Sequence, residues 1–198
     1  MNVSIILAHP DKGSFNHAIA EAVSETLKES GHTVSFHDLY KEKFPPLLPA
    51  DEIPRAAFLP PIIRKHCAEV SSAEGIIIIH PNWWGQPPAI LKGWVDRILR
   101  PGIAYNFTER DRGEGVPEGL LKARAAIVFT TSNTPSEREQ AVFGDPLETI
   151  WRKCIFELCG VGNFYRKNFG IIVTSSPEQR KKWLEETAEI TERHFPAD

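Results

Sequence analysis

The sequence predicts an α/β fold: a doubly wound, five-stranded parallel sheet in the order 2-1-3-4-5, with helices on both faces. Three observations predict it. Apolar strand-like runs alternate with amphipathic helical stretches along the whole chain. The third run, Gly75-Ile-Ile-Ile-Ile79, is continuously apolar, as a strand buried on both faces must be. The residues richest in chemistry follow strands one, three and four, and a sheet of this kind binds ligands at its carboxyl ends, where the strand order reverses.

Each element follows from its residues. Strand one covers 3–8, and helix one runs from about 15 to 30, where Gly31 stops it. Strand two, 33–38, leads into a proline-rich loop at 44–61, a length that usually marks a functional or covering segment. A helix over about 62–72 precedes strand three at 75–79. Ile90, Leu91, Trp94, Val95, Ile98 and Leu99 then form one helical stripe, with Pro87-Pro88 suited to its first turn. A loop at 101–118 carries Gly102, Gly113 and Gly115. Strand four covers about 125–131, a helix 146–159, strand five 165–174 and a last helix 177–194. Right-handed crossovers joining parallel strands account for this alternation.

Composition narrows the functional classes. The chain has 198 residues, 41% hydrophobic and 25% charged, which is enough for one generous core in a single domain over residues 1–198. A net charge of −3 and a pI of about 6.2 leave no electrostatic footprint for nucleic acid, and Arg180-Lys181-Lys182 reads as a solvated helix face. No apolar stretch approaches the ~20 residues of a membrane span, so the chain is expected not to be membrane-embedded. Its start, Met1-Asn-Val-Ser-Ile-Ile-Leu7, reads as a strand and not as a signal peptide. Cys67, Cys154 and Cys159 form no CxxC pair, which fits a reducing cytoplasm; Cys154 and Cys159 read as fillers on an apolar helix.

Three loops carry the candidate chemistry. After strand three comes His80-Pro-Asn82-Trp83-Trp84-Gly85-Gln-Pro-Pro, two adjacent tryptophans in a rigid turn. A flat ligand stacking there accounts for them, and so does one tryptophan in the core with the other at the surface. After strand one, His9-Pro-Asp-Lys-Gly-Ser14-Phe15-Asn16 opens a helix. Ser14 is an N-cap candidate, and free amides at a helix start suit a phosphate, although a plain capped helix reads the same way. After strand four, Thr130-Thr131-Ser132-Asn133-Thr-Pro-Ser gathers short hydrogen-bonding residues that fit the polar edge of a heterocycle or an ordinary turn. Tyr105 and Phe107 form either a lid over an aromatic substrate or a tack for their own loop. The absence of GxGxxG and of a Walker lysine argues against a Rossmann dinucleotide fold and a P-loop.

The segments Ala8-His-Pro-Asp-Lys-Gly-Ser-Phe-Asn16, Trp83-Trp-Gly-Gln-Pro-Pro-Ala-Ile-Leu-Lys-Gly-Trp-Val-Asp-Arg97, Ala104-Tyr-Asn-Phe107 and Thr130-Thr131 resemble the NAD(P)H:quinone oxidoreductase family of flavodoxin-like flavoproteins. They lie in the family's order and span nearly the whole chain. The resemblance implies a homodimer with non-covalent FAD or FMN at each subunit interface, and no metal. The flavin phosphates would lie by His9, Ser14, Phe15 and Asn16. The ring would lie against Asn82, Trp83, Trp84 and Gly85, with Thr130, Thr131, Ser132 and Asn133 along its polar edge. Tyr105 and Phe107 match positions that line the quinone and nicotinamide pocket together with Trp84, usually from the partner subunit. One departure stands out. Animal members carry a tyrosine and a histidine after the Thr-Thr loop that steady the reduced flavin. Here Phe143 takes the histidine's place and Arg138 lies near the tyrosine's, as a compensating cation or a solvated side chain.

The function expected is two-electron, ping-pong hydride transfer from NAD(P)H through flavin to quinones or similar aromatic acceptors. Two other readings remain open. One is a flavin-bearing regulatory subunit associated with a potassium-efflux transporter. The other is a one-electron carrier, against which a net charge of only −3 argues.

Overall fold

The structure is a computed structural model describing residues 1–107 and 116–197. Gly113 and Gly115 lie outside the described residues. The strands are β1 (Asn2–Leu7), β2 (Thr33–Asp38), β3 (Gly75–Pro81), β4 (Tyr105–Asn106), β5 (Glu118–Gly119), β6 (Ala125–Ser132) and β7 (Phe164–Gly170). The helices are α1 (Phe15–Glu29), α2 (Pro61–Ser72), α3 (Ala89–Ile98), α4 (Ser136–Arg138), α5 (Pro146–Thr149) and α6 (Pro177–His194). Five strands pair in parallel in the order β2-β1-β3-β6-β7, the predicted 2-1-3-4-5. β4 and β5 form a separate antiparallel pair that the sequence did not announce.

Alternation along β3 sorts the core into two layers. Ile76 and Ile78 join Ile6, Ala126 and Val128 under α2 and α3, against Ile63, Leu91, Trp94 and Ile98. Ile77 and Ile79 face the other way with Ile5, Leu7, Ile127 and Phe129, under Ile19, Val23 and Leu27 of α1 and Ile190 of α6. Every residue of β3 is buried, as the unbroken apolar run requires.

Several boundaries differ from expectation for local reasons. Pro88 is the residue before α3 and not part of its first turn. β7 ends at Gly170 because Ile171 turns left-handed (φ 60°) into a short 3₁₀ turn over Ile172–Thr174. Past Thr149, the helix begun by α5 winds as a π-helix over Ile150–Glu157, and Glu139–Phe143 is π-wound after α4. Cys67 and Cys159 are buried, and burial pushes both thiols up to about 11. Cys154 is exposed and so is not a core filler.

The proline-rich loop is strapped across α3. Arg97 donates from Nε to Glu52 at 3.0 Å, and Arg100 donates to the carbonyls of Glu52 (2.7 Å) and Pro54 (2.9 Å). Both arginines and Glu52 are buried. Gly93 is required beneath the strap, since a Cβ there would stand 2.1 Å from the carbonyl oxygen of Pro46. The loop therefore closes the α3 side of the core, and its residues line neither of the cavities at the strand ends described below.

Two buried histidines are held neutral. His80 accepts a hydrogen bond from Trp151 Nε1 (2.9 Å) and donates to Pro81 O (2.8 Å); burial, with Arg166 nearby, lowers its pKa to about 4. His66 accepts from Trp94 Nε1 (3.0 Å) and donates to Glu42 (3.1 Å); burial, then His37 and Lys65, lower it to about 3. Both folded values lie below the unfolded 6.5, so the unfolded chain binds more protons once pH drops under about 6.5. The stabilisation is complete above that pH and is lost as pH falls towards 4 for His80 and towards 3 for His66. Chemical denaturation at stepped pH should show stability falling by up to about 1.4 kcal/mol per pH unit for each histidine, with a shallower slope in His80→Gln.

Candidate functional site

The carboxyl ends of β1, β3 and β6 stand level because β3 and β6 pair in register up to Pro81↔Thr131. Two hydrogen bonds then join the three loops. Asn82 N–H donates to Thr131 O (2.7 Å), and Asn16 Nδ2 donates to Thr131 Oγ1 (2.9 Å). The Asn82 side chain is fixed at both ends: Oδ1 accepts from Gly85 N–H (2.9 Å) and Nδ2 donates to Glu139 (3.1 Å).

The tryptophan turn is tight. Trp83 and Gln86 exchange backbone hydrogen bonds of 3.1 and 3.0 Å, and the residues between them, Trp84 and Gly85, both have positive φ (59° and 70°). This is the geometry of a type I′ turn, in which a bulky residue at the first central position is strained by about 1–2 kcal/mol. Trp84 is fully exposed and Trp83 is 42% exposed, so neither tryptophan belongs to the core.

Two cavities meet at Asn82. The larger, about 530 Å³, is lined by Asn82, Trp84, Gly85, Thr134, Glu139, Phe143 and Pro146. Aromatic and proline surfaces form its walls, and an amide and a buried carboxyl supply polarity. The smaller, about 290 Å³, lies over the start of α1 and includes His9, Ser14, Phe15, Asn16, Trp83, Thr131, Ser132, Asn133 and Arg180. Helix-start amides, hydroxyls, an imidazole and a guanidinium make it a site for an anion.

Asn16 adds a direct sign of a missing partner. The residue is 2% exposed, and its Oδ1 has no hydrogen-bond partner among the described residues. A buried acceptor left this way costs about 1–3 kcal/mol until a donor reaches it. His9 is less readily protonated than a free histidine: burial lowers its pKa, His17 lowers it further, and a hydrogen bond to Asp11 opposes both.

The structure brings most of the sequence-predicted residues together and separates a few. His9, Ser14, Phe15, Asn16, Trp83, Thr131, Ser132 and Asn133 share the smaller cavity; Trp84 and Gly85 line the larger, and Asn82 lines both. Thr130 is fully buried, hydrogen-bonded to Asn168 (3.0 Å) and Arg166 (3.2 Å), and lines neither. Arg138 is exposed, with its guanidinium 5.8 Å over the Phe143 ring. Tyr105 lines a separate pocket with Leu48 and Arg100, and Phe107 packs edge-on against it at 5.7 Å.

Sequence reasoning missed Arg180, read as part of a solvated run, and Glu139. Arg180 is anchored to Ser175 Oγ (2.8 Å) and Ile172 O (3.0 Å), which points it at the cavity. Neither residue had a local signal, since each reaches the site only through the fold.

The chain matches the flavodoxin-like fold family over residues 1–194. An uncharacterized NAD(P)H oxidoreductase of Haemophilus influenzae is 35% identical over 202 residues, covering 100% of this chain and 97% of that protein. A Mus musculus ribosyldihydronicotinamide dehydrogenase (quinone) is 30% identical over 92% of this chain and 87% of its own length. The chain belongs to the NAD(P)H:quinone oxidoreductase family. Rattus norvegicus NAD(P)H dehydrogenase (quinone) 1 is 31% identical over 79% of the chain, a match that spans 64% of that relative's length. The crystal structure of Smu.1420 from Streptococcus mutans UA159 superposes with a TM-score of 0.83 at 32% identity, covering 98% of this chain and all of that one.

A Cβ at Gly85 would stand 2.8 Å from Pro146 Cγ on a backbone at φ 70°. Gly85→Ala should therefore cost about 1–2 kcal/mol in thermal or denaturant unfolding and distort the larger cavity.

Proposed function

We propose that the chain is a flavin-dependent NAD(P)H:quinone oxidoreductase. The observation that carries this reading is the pair of cavities joined at Asn82, one built for an anion and the other walled by Trp84, Phe143 and Pro146. Their chemistry matches the two ends of a flavin nucleotide. The relatives' names supply the substrate classes, a reduced nicotinamide and a quinone. A bound flavin, FMN or FAD, supplies the hydride-carrying ring; the redox chemistry is the cofactor's own.

The protein's part is binding, orientation and exclusion of water. The α1 amides, Ser14 and Arg180 hold the phosphate, and Asn16 Oδ1 takes its donor from a hydroxyl or N–H elsewhere on the nucleotide, since the phosphate offers only acceptors. Asn82, held on both sides, fixes one polar edge of the ring. The strained Trp84 turn is built before the ligand arrives, so little ordering cost remains on binding. One cavity receiving the nicotinamide and then the acceptor implies ping-pong kinetics.

The active form in this reading is a homodimer. Trp84 and Phe143 are exposed apolar side chains lining the larger cavity, Val142 beside Phe143 is exposed too, and so is Phe107 next to the separate Tyr105 pocket. A second copy that covers them also brings Tyr105 and Phe107 of one protomer to the cavity of its partner. No helix among the described residues is long and apolar enough to cross a membrane. The three unpaired cysteines support a reducing compartment such as the cytoplasm.

Anaerobic absorbance spectroscopy tests the function directly. Flavin bands that bleach with NADPH or NADH and return with a simple quinone are expected, with parallel-line initial-rate plots. Failure to take up FMN or FAD, or a bound flavin that reduced nicotinamide leaves oxidised, would refute the reading. Trp84→Ala should weaken flavin retention by opening the ring wall; unchanged affinity removes Trp84 from the site.

A further inference from the structure

Ser14 occupies the N-cap position of α1, yet its side chain makes no capping hydrogen bond. Its Oγ lies instead 3.0 Å from His17 Nδ1, one turn along the helix. The other ring nitrogen, His17 Nε2, lies 3.3 Å from Asp38 Oδ2 at the end of β2. Asp38 is buried and rigid, because its Oδ1 accepts the backbone N–H groups of Tyr40 (3.1 Å) and Lys41 (3.0 Å). A hydrogen-bonded chain thus runs from the β2 edge to the wall of the anion cavity.

The chain's polarity determines what Ser14 offers that cavity. An ionised Asp38 only accepts, so His17 Nε2 carries a proton and donates to it. With His17 neutral, Nδ1 accepts from the Ser14 hydroxyl, and Ser14 turns a lone pair towards the cavity. With His17 protonated, Nδ1–H donates to Ser14 Oγ, and the hydroxyl proton is free for a ligand. Only the second arrangement lets Ser14 donate to a dianionic phosphate while keeping its hydrogen bond to His17.

We infer that His17 is a positioning residue that acts through Ser14: phosphate binding in the anion cavity takes one proton from solvent onto His17, which Asp38 holds in place. The inference rests on the proposed flavin reading, and the unpartnered Oδ1 of buried Asn16 in the same cavity is an independent mark of a ligand there. Other charges face His17. The His9 ring lies edge-on at 6.4 Å, Lys12, Tyr40 and Lys41 share a small pocket with it, and Glu21 lines the groove on its helix side. The lysines oppose the added proton, Asp38 and Glu21 favour it, and the incoming phosphate tips the balance.

The test is calorimetric titration of the flavin-free 198-residue chain with FMN at pH 8, in buffers of different ionisation enthalpy. There the ester phosphate, with a second pKa of about 6, is already dianionic and releases no proton of its own. Riboflavin, which lacks the phosphate, is the control. Wild type should take up protons on binding FMN and none on binding riboflavin. His17→Gln should abolish most of that uptake and lower FMN affinity by about 10- to 100-fold, the range of one charge-assisted hydrogen bond, with riboflavin affinity unchanged. Asp38→Asn should act in the same direction, and His9→Gln should retain the uptake. Equal uptake in wild type and His17→Gln, uptake lost only in His9→Gln, or no uptake in wild type overturns the inference and leaves the flavin reading standing. Binding of neither FMN nor riboflavin overturns both.

Discussion

Thr131 ties the three loops of the site into one object. Its carbonyl takes Asn82 N–H and its hydroxyl oxygen takes the Asn16 amide, so one residue at the end of β6 fixes both the tryptophan turn and the start of α1. Those bonds exist because β3 and β6 stay in register to their last residues, and that register is held by a strand buried on both faces. The hydrophobic packing of Ile76 to Ile79 is thus converted, through backbone pairing, into the placement of polar groups at the strand ends.

A second set of polar contacts stiffens the far wall. Arg166 on β7 pairs with Asp145 and Glu148 and donates to Thr130. It holds the segment that carries Phe143 and Pro146 against β6. Arg166 is nearly buried, and removing one partner of such a network leaves the others unpaired in a poorly solvated place. The segment's geometry therefore follows from β7 as much as from its own residues, even though Asp145 has a left-handed backbone and Pro146 opens a helix beside it.

What the sequence made legible was what repeats or accumulates. The apolar period separated strands from helices, Gly31 marked a helix end, and the loops after strands one, three and four were singled out by content and position. Single backbone events and long-range neighbours were not legible. Ile171 is β-branched and favours a strand by propensity, yet it adopts a left-handed conformation that ends β7 four residues early. Ser14 looks like a helix cap, but its hydroxyl prefers His17. Arg180 sits in a basic run that reads as solvent-facing, and only the packing of α6 against α1 aims it at the helix start. Glu139 is polar in a polar stretch, and nothing local shows that the π-wound turn buries it.

The π-winding beyond α5 has a consequence for changes in chain length. A π turn holds about one residue more than the α turn it replaces. Within an α-helix, removing a residue rotates everything downstream by about 100° and swings a buried face into solvent. Between Ile150 and Glu157 the slack is already present, so a one-residue deletion can be absorbed by tightening to α geometry. Trp151, which bonds His80, and Phe156, which stacks on it at 6.0 Å, lie at either end of that slack. This stretch is where the domain can shorten while its core contacts keep their register.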